Sequence, residues 1–163
     1  MNRYQNPVAA EVTRLKPSED QSLLTSAATV LKEPPMTRIL LVEDDDALRL
    51  TLRRSLERAG YETVEAAHGR EALARLAEGP VDLVITDIVM PEMEGVELIL
   101  QLRRSHPRLP VIAMSGGGRN AGDEYLKLAR AGGAAKLLAK PFKPEQLLLA
   151  VREVLSSPDP ATG

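Results

Sequence analysis

Residues 81–95 read VDLVITDIVMPEMEG, a run of Val, Leu, Ile and Thr that ends on one carboxylate, Asp87, just before a turn carrying Pro91. A short apolar run bounded by turn residues reads as a strand buried on both faces, the kind found in parallel sheets. RILLV (residues 38–42) and PVIAMS (110–115) have the same character. Amphipathic stretches lie between them. DDALRLTLRRSLERAG (45–60) sets Leu48, Leu52, Leu56 and Ala59 at helical spacing, with Asp45 or Asp46 to cap its start and Gly60 to stop it. GREALARLAEG (69–79), GVELILQLRRS (95–105), NAGDEYLKLARAGG (120–133) and PEQLLLAVREVLSS (144–157) read as further helices. YETVEAA (61–67) is a weaker, more polar strand expected near a sheet edge, and AAKLLAK (134–140) completes the series. Five strands alternating with five helices predict an α/β fold, a doubly wound parallel sheet covered on both faces.

The first 36 residues differ from the rest. They mix Pro, Ser, Thr and balanced charge without sustained apolar periodicity, and are expected to form a flexible N-terminal extension with a transient helix around Gln21 to Leu31. Pro34-Pro35 closes it. The folded domain is expected over residues 37–156, and residues 157–163 (SPDPATG) form a short disordered tail.

At 163 residues, with 44% hydrophobic and 27% charged residues, the chain has the composition of an ordinary globular domain. Aromatics make up only 2%, so the core must be built from Leu, Val, Ile and Ala. The absence of cysteine excludes disulfides, thiolate metal sites and cysteine nucleophiles. A net charge of -2, with Arg53-Arg54 and Arg103-Arg104 set beside acidic residues on amphipathic helices, argues against nucleic acid as a partner. No apolar run suits a signal peptide or a membrane span, so a cytoplasmic location is expected.

In an open parallel sheet, ligand sites form beyond the carboxyl ends of the strands. Here the first strand ends at EDDD (43–46), the third at Asp87, the fourth at Ser115 and the fifth at Lys140. An acidic cluster, a lone acid, a hydroxyl and an amine therefore converge. Carboxylates brought together repel one another and resist ionising, and a divalent cation removes that penalty. Hard oxygen ligands in small number suit Mg2+, which keeps several waters and commonly bridges protein to phosphate.

The joint order of LLVEDD (40–45), VITDIVMPEMEG (84–95), PVIAMSG (110–116) and LLAKPF (137–142), each at a strand end, resembles the response-regulator receiver domains of two-component signalling, in the single-domain form. The resemblance implies a flavodoxin-like sheet in the order 2-1-3-4-5. It implies that Asp87 takes a phosphoryl group from the phosphohistidine of a histidine kinase, with Mg2+ bound by Asp44 and Asp87, through water by Glu43, and by the backbone carbonyl of Val89. Lys140 would neutralise phosphoryl charge, Ser115 would donate a hydrogen bond to it, and Lys140-Pro141 would be a cis peptide. Such a module is not an enzyme, although slow autodephosphorylation is expected; it binds a target protein or passes phosphate to a histidine phosphotransfer protein.

Several features depart from or compete with that pattern. Leu137 stands where many receivers have Tyr or Phe, so signalling is expected to run through the loop after Ser115 instead of an aromatic switch. Val89 and Gly117 occupy positions that tune dephosphorylation, and neither side chain can orient water. SGGGRNAG (115–122) lacks the Gly-Lys-Ser/Thr ending of a P-loop and reads as a switch loop. His68 and His106 lack partners at metal-ligand spacing and are expected to have surface roles. The alternative from another class is a Mg2+-dependent phosphatase of the haloacid-dehalogenase type, with Asp44 as nucleophile and Asp46 completing Asp-x-Asp. Leu48 stands where that type expects threonine or valine.

Overall fold

The computed structural model describes residues 36–90, 93–116 and 127–157. The N-terminal extension to residue 35, the helix expected around Gln21 to Leu31, Gly117 with most of the expected switch loop, and the tail beyond Ser157 lie outside the described residues. The chain divides into Met1–Pro35 and Met36–Gly163, and the second unit carries everything that follows.

Five parallel strands form one sheet: β1 (Arg38–Val42), β2 (Glu62–Ala66), β3 (Leu83–Asp87), β4 (Val111–Gly116) and β5 (Lys136–Lys140), in the order β2-β1-β3-β4-β5. This is the flavodoxin-like, doubly wound arrangement. The helices are α1 (Asp46–Arg58), α2 (Gly69–Glu78), α3 (Gly95–Ser105), α4, described over 127–131, and α5 (Pro144–Ser156). Among the described residues, no helix is long and apolar enough to cross a membrane.

Successive strand residues point to opposite faces, and here both faces are buried. Leu40, Val42, Val84, Val111 and Ala113 enter one core with Leu98, Ile99 and Leu102 of α3 and Ala72 of α2. The intervening Ile39, Leu41, Leu83, Ile85, Ile112 and Met114 enter the other with Leu52 and Leu56 of α1 and Leu147 and Val151 of α5. The two-sided burial explains why β1 and β3 are continuous apolar runs. β2, at the edge, is half-buried over most of its length, as its polar sequence leads one to expect.

Local chemistry sets the helix ends. The Asp45 carboxylate accepts from Leu48 N–H at 2.9 Å and caps α1. At the other end Gly60 takes φ 89°, and the bonds Gly60 N–H to Glu57 O (3.0 Å) and Tyr61 N–H to Leu56 O (3.1 Å) form a Schellman motif. Gly133, with φ 97°, ends α4 in the same way: its N–H donates to Arg130 O and that of Ala134 to Ala129 O. That exit consumes Ala134, which is why β5 begins at Lys136 and is shorter than the sequence pattern suggests. His68 caps α2 through Nδ1, 3.2 Å from Glu71 N–H, while the Glu71 carboxylate accepts from Ala67 N–H at 2.8 Å.

Leu56 is fully buried between α1 and the sheet, whereas Leu50 on the same helix is 36% exposed. Leu56→Ala is expected to cost about 3 kcal/mol of stability and Leu50→Ala less than about 1 kcal/mol, measured by urea unfolding followed by far-ultraviolet circular dichroism.

Candidate functional site

The strand register assembles the site. Val42 pairs with Thr86, Asp87 with Met114, Ser115 with Ala139 and Gly116 with Lys140. Glu43, Asp87, Ser115 and Lys140 therefore reach the same, carboxyl-terminal edge of the three central strands and β5. Glu43, Asp87 and Ser115 are buried there at 1%, 7% and 1% exposure, while Asp44 is exposed. One carboxylate oxygen from each of Glu43, Asp44 and Asp87 lies within 4.8 Å of the others.

Lys140 joins this cluster from the end of β5. Its Nζ donates to Asp87 Oδ2 at 2.7 Å and to Glu43 Oε2 at 2.8 Å. The Lys140-Pro141 peptide is cis, as the resemblance implies. Burial pushes the Glu43 carboxyl above its ordinary 4.5, the Asp87 charge adds to the rise, and Lys140 opposes it. Because Glu43 is raised in the fold, its contribution to stability is full below about pH 4.5 and is lost as pH rises through the folded value. For Lys140, burial favours the neutral amine, but the bonds to Asp87 and Glu43 outweigh it and hold the ammonium above its ordinary 10.5.

Backbone contacts fix the acid at the end of β3. Val89 N–H lies 3.3 Å from Asp87 Oδ1, Thr86 Oγ1 donates to Asp87 O at 2.9 Å, and Ile88 N–H donates to Met114 O at 2.8 Å. Gly95, which opens α3, donates from its N–H to Ile88 O at 2.8 Å. A Cβ on Gly95 would stand 1.9 Å from Asp87 O and 2.8 Å from Asp87 C. Only glycine allows α3 to begin so close to the acid. In the sequence Gly95 reads merely as a helix start; a poor helix former at that position is the available signal.

The six residues expected at the site sort clearly. Glu43, Asp44, Asp87 and Lys140 come together; Ser115 is one position beyond Met114, the register partner of Asp87; and Val89, two residues after Asp87, is 52% exposed. Asp45 and Asp46 are helix residues: Asp45 is the cap, and the Asp46 carboxylate pairs with Arg49. Asp44 thus stands with Glu43 and Asp87 instead of with Asp46, so the Asp-x-Asp phosphatase arrangement gains no support. His68 serves as a cap, and His106 Nδ1 lies 2.8 Å from Ser105 Oγ. Leu137 packs against the core shared by α2 and α3.

Three hard carboxylates at one point, one of them open to solvent, are a donor set suited to Mg2+. Together with a buried acid bonded to an ammonium at the edge of a five-stranded parallel sheet, they match a family of signalling domains. Residues 39–152 match the response regulator receiver domain, and the chain belongs to that family. It is 39% identical over 155 residues to the sensor kinase CckA of Brucella abortus, covering 94% of this chain but only 15% of that protein. It is 38% identical over 120 residues to the response regulator receiver protein CpdR of the same organism, covering 74% of this chain and 98% of CpdR. A receiver-domain crystal structure from Methanospirillum hungatei superposes with a TM-score of 0.68 at 32% identity, over 74% of this chain and 94% of that one.

Gly95→Ala forces the Asp87 main chain to move. The substitution is expected to cost about 2 kcal/mol and to displace the Asp87 and Ile88 amide resonances, read from unfolding curves and from an amide correlation spectrum; an unshifted spectrum would show that the contact does not constrain Asp87.

Proposed function

We propose that Asp87 is the phosphoacceptor of this receiver, taking a phosphoryl group from the phosphohistidine of a histidine kinase. The observation that carries this reading is the Lys140 ammonium bonded to both Asp87 and Glu43 at the end of β3, with Asp44 completing the three-carboxylate cluster. Asp44 and Asp87 would hold Mg2+ directly, with the Val89 carbonyl, and Glu43 through water. When bound, Mg2+ supplies charge neutralisation for the phosphoryl oxygens.

The chain's own residues do the rest. Phosphoryl transfer depends on positioning and electrostatics more than on covalent assistance. Asp87 Oδ is the attacking atom, held at a fixed point by the Ile88 and Gly95 backbone contacts. It forms a bond to phosphorus as the phosphorus–nitrogen bond to the donor histidine breaks, and the departing imidazole leaves with its electron pair. Lys140 then faces an acyl phosphate instead of a bare carboxylate and can follow the phosphoryl oxygens, and the buried Ser115 hydroxyl donates to one of them. Val89 presents an exposed apolar side chain beside the acid and gives an attacking water no hydrogen-bond partner, which fits slow autodephosphorylation in place of catalytic turnover.

In this reading residues 37–156 form the receiver, with residues 1–36 ahead of it and 157–163 behind. The domain lies in the cytoplasm, and its partner upstream is a histidine kinase. Downstream, the phosphorylated domain docks on a target protein or passes its phosphate to a histidine phosphotransfer protein. The likeness to CpdR, a response regulator receiver protein matched over 98% of its length, supports a module that is a receiver alone, and the match within the sensor kinase CckA supports a place in histidine-kinase signalling.

Asp87→Asn is expected to fold as the native protein does and to accept no phosphate from acetyl phosphate with Mg2+, as seen by intact-protein mass spectrometry. Mg2+-dependent labelling of that variant would place the acceptor elsewhere. Val89→Asn is expected to shorten the phosphoryl lifetime several-fold, on the order of the effect of one positioned hydrogen-bond partner, followed as the decay of the phosphorylated mass.

A further inference from the structure

Arg49 stands in the first turn of α1, where the positive end of the helix dipole disfavours a cation. Its side chain is nevertheless only 17% exposed, and each guanidinium nitrogen has an acceptor on a different element. Nη1 donates to the Glu43 carbonyl oxygen at 2.6 Å, Nη2 to the Asp46 carboxylate of α1, and Nε lies 3.4 Å from Glu65 Oε1 on β2. The Glu43 carbonyl belongs to the peptide that joins Glu43 to Asp44. Its orientation decides where both carboxylates point. Inside the site, the Glu43 side chain is held by Lys140 and by Asp45 N–H; outside it, Arg49 grips the main chain.

We propose that Arg49 is a positioning residue for the cation site: its fork fixes the Glu43–Asp44 peptide against α1 and β2, so that the two carboxylates stand ready to meet the metal beside Asp87. The inference rests on the reading of Glu43, Asp44 and Asp87 as the Mg2+ ligands. Two effects of the residue oppose each other. Its charge repels a nearby cation, whereas its geometry presents the ligands to it. A planar fork reaching three acceptors cannot be reproduced by a lysine, which keeps the charge and loses the shape.

Calorimetric titration of Mg2+ into the full chain separates these effects. Arg49→Lys is expected to weaken Mg2+ binding about tenfold, the low end of what outer-shell partners of metal ligands contribute, because the contact is to the main chain. At saturating Mg2+, its rate of phosphorylation by acetyl phosphate is expected to return to that of the native chain, so that only the Mg2+ concentration giving half-maximal rate rises. A Lys variant that binds Mg2+ as tightly as the native chain would overturn the proposal, as would a rate that stays low at saturation. Glu65→Gln, which loosens one arm of the fork and leaves Arg49 in place, is expected to weaken Mg2+ in the same direction by a smaller factor; unchanged affinity there, should Arg49→Lys fail to fold, would equally overturn it. If the native chain itself takes up no Mg2+, the assignment of the cation site fails, whereas native binding with an unaltered Lys variant removes the clamp alone.

Discussion

Lys140 places its ammonium 2.7 Å from Asp87 and 2.8 Å from Glu43, and so allows two buried carboxylates to share the end of one sheet. Without a cation between them, their mutual repulsion and the loss of water would drive one to take up a proton. Glu43 already shows that pressure in its raised pKa. The pairing ties the lysine to oxygens that a divalent cation and a phosphoryl group would engage in the proposed reaction. Phosphorylation on this account is an exchange of partners around a fixed acid. In the proposed reaction, the energy for a change of state would come from redistributing the lysine, the cation and the Ser115 hydroxyl.

The fixed acid depends in turn on the sheet. β3 lies at its centre, every residue from Leu83 to Asp87 is buried, and apolar cores press on both faces. Hydrogen bonds to β4 and the close approach of Gly95 leave the Asp87 main chain little freedom. Asp44, by contrast, is exposed, so ligands of a Mg2+ ion can include water. A fixed carboxylate beside an exposed one is the arrangement that the phosphoryl transfer proposed for Asp87 would require.

Much of this was legible in the sequence because parallel-sheet burial writes itself into composition. Apolar runs at 38–42 and 83–87 declared strands buried on both faces, and the rule that sites gather at their carboxyl ends led to the EDDD cluster (43–46), Asp87, Ser115 and Lys140; within that cluster only the family resemblance singled out Glu43 and Asp44. Asp45 and Gly60 were readable as helix ends because capping chemistry is local. What escaped was chemistry between distant positions. Gly95 looks like any helix start until its backbone is found against Asp87. Arg49 looks like one more surface charge until its three acceptors, drawn from the β1–α1 connection, α1 and β2, are seen together. His68 lacked a metal-binding partner in sequence, and its capping of α2 depends on a rotamer that no spacing reveals. β5 starts later than its sequence pattern suggests because two glycines end α4 in a turn that uses the Ala134 amide.

If Lys140 is the resting counterion of the site, its removal has opposite consequences for the metal and for phosphate. The most direct measurement is the Mg2+ affinity of Lys140→Met against that of the native chain, by calorimetry at neutral pH. The account predicts tighter binding, by about tenfold or more, because the cation then meets two carboxylates with no ammonium to displace. Affinity that is unchanged or weaker in the variant would contradict it, and would mean that Lys140 does not occupy the oxygens the cation needs.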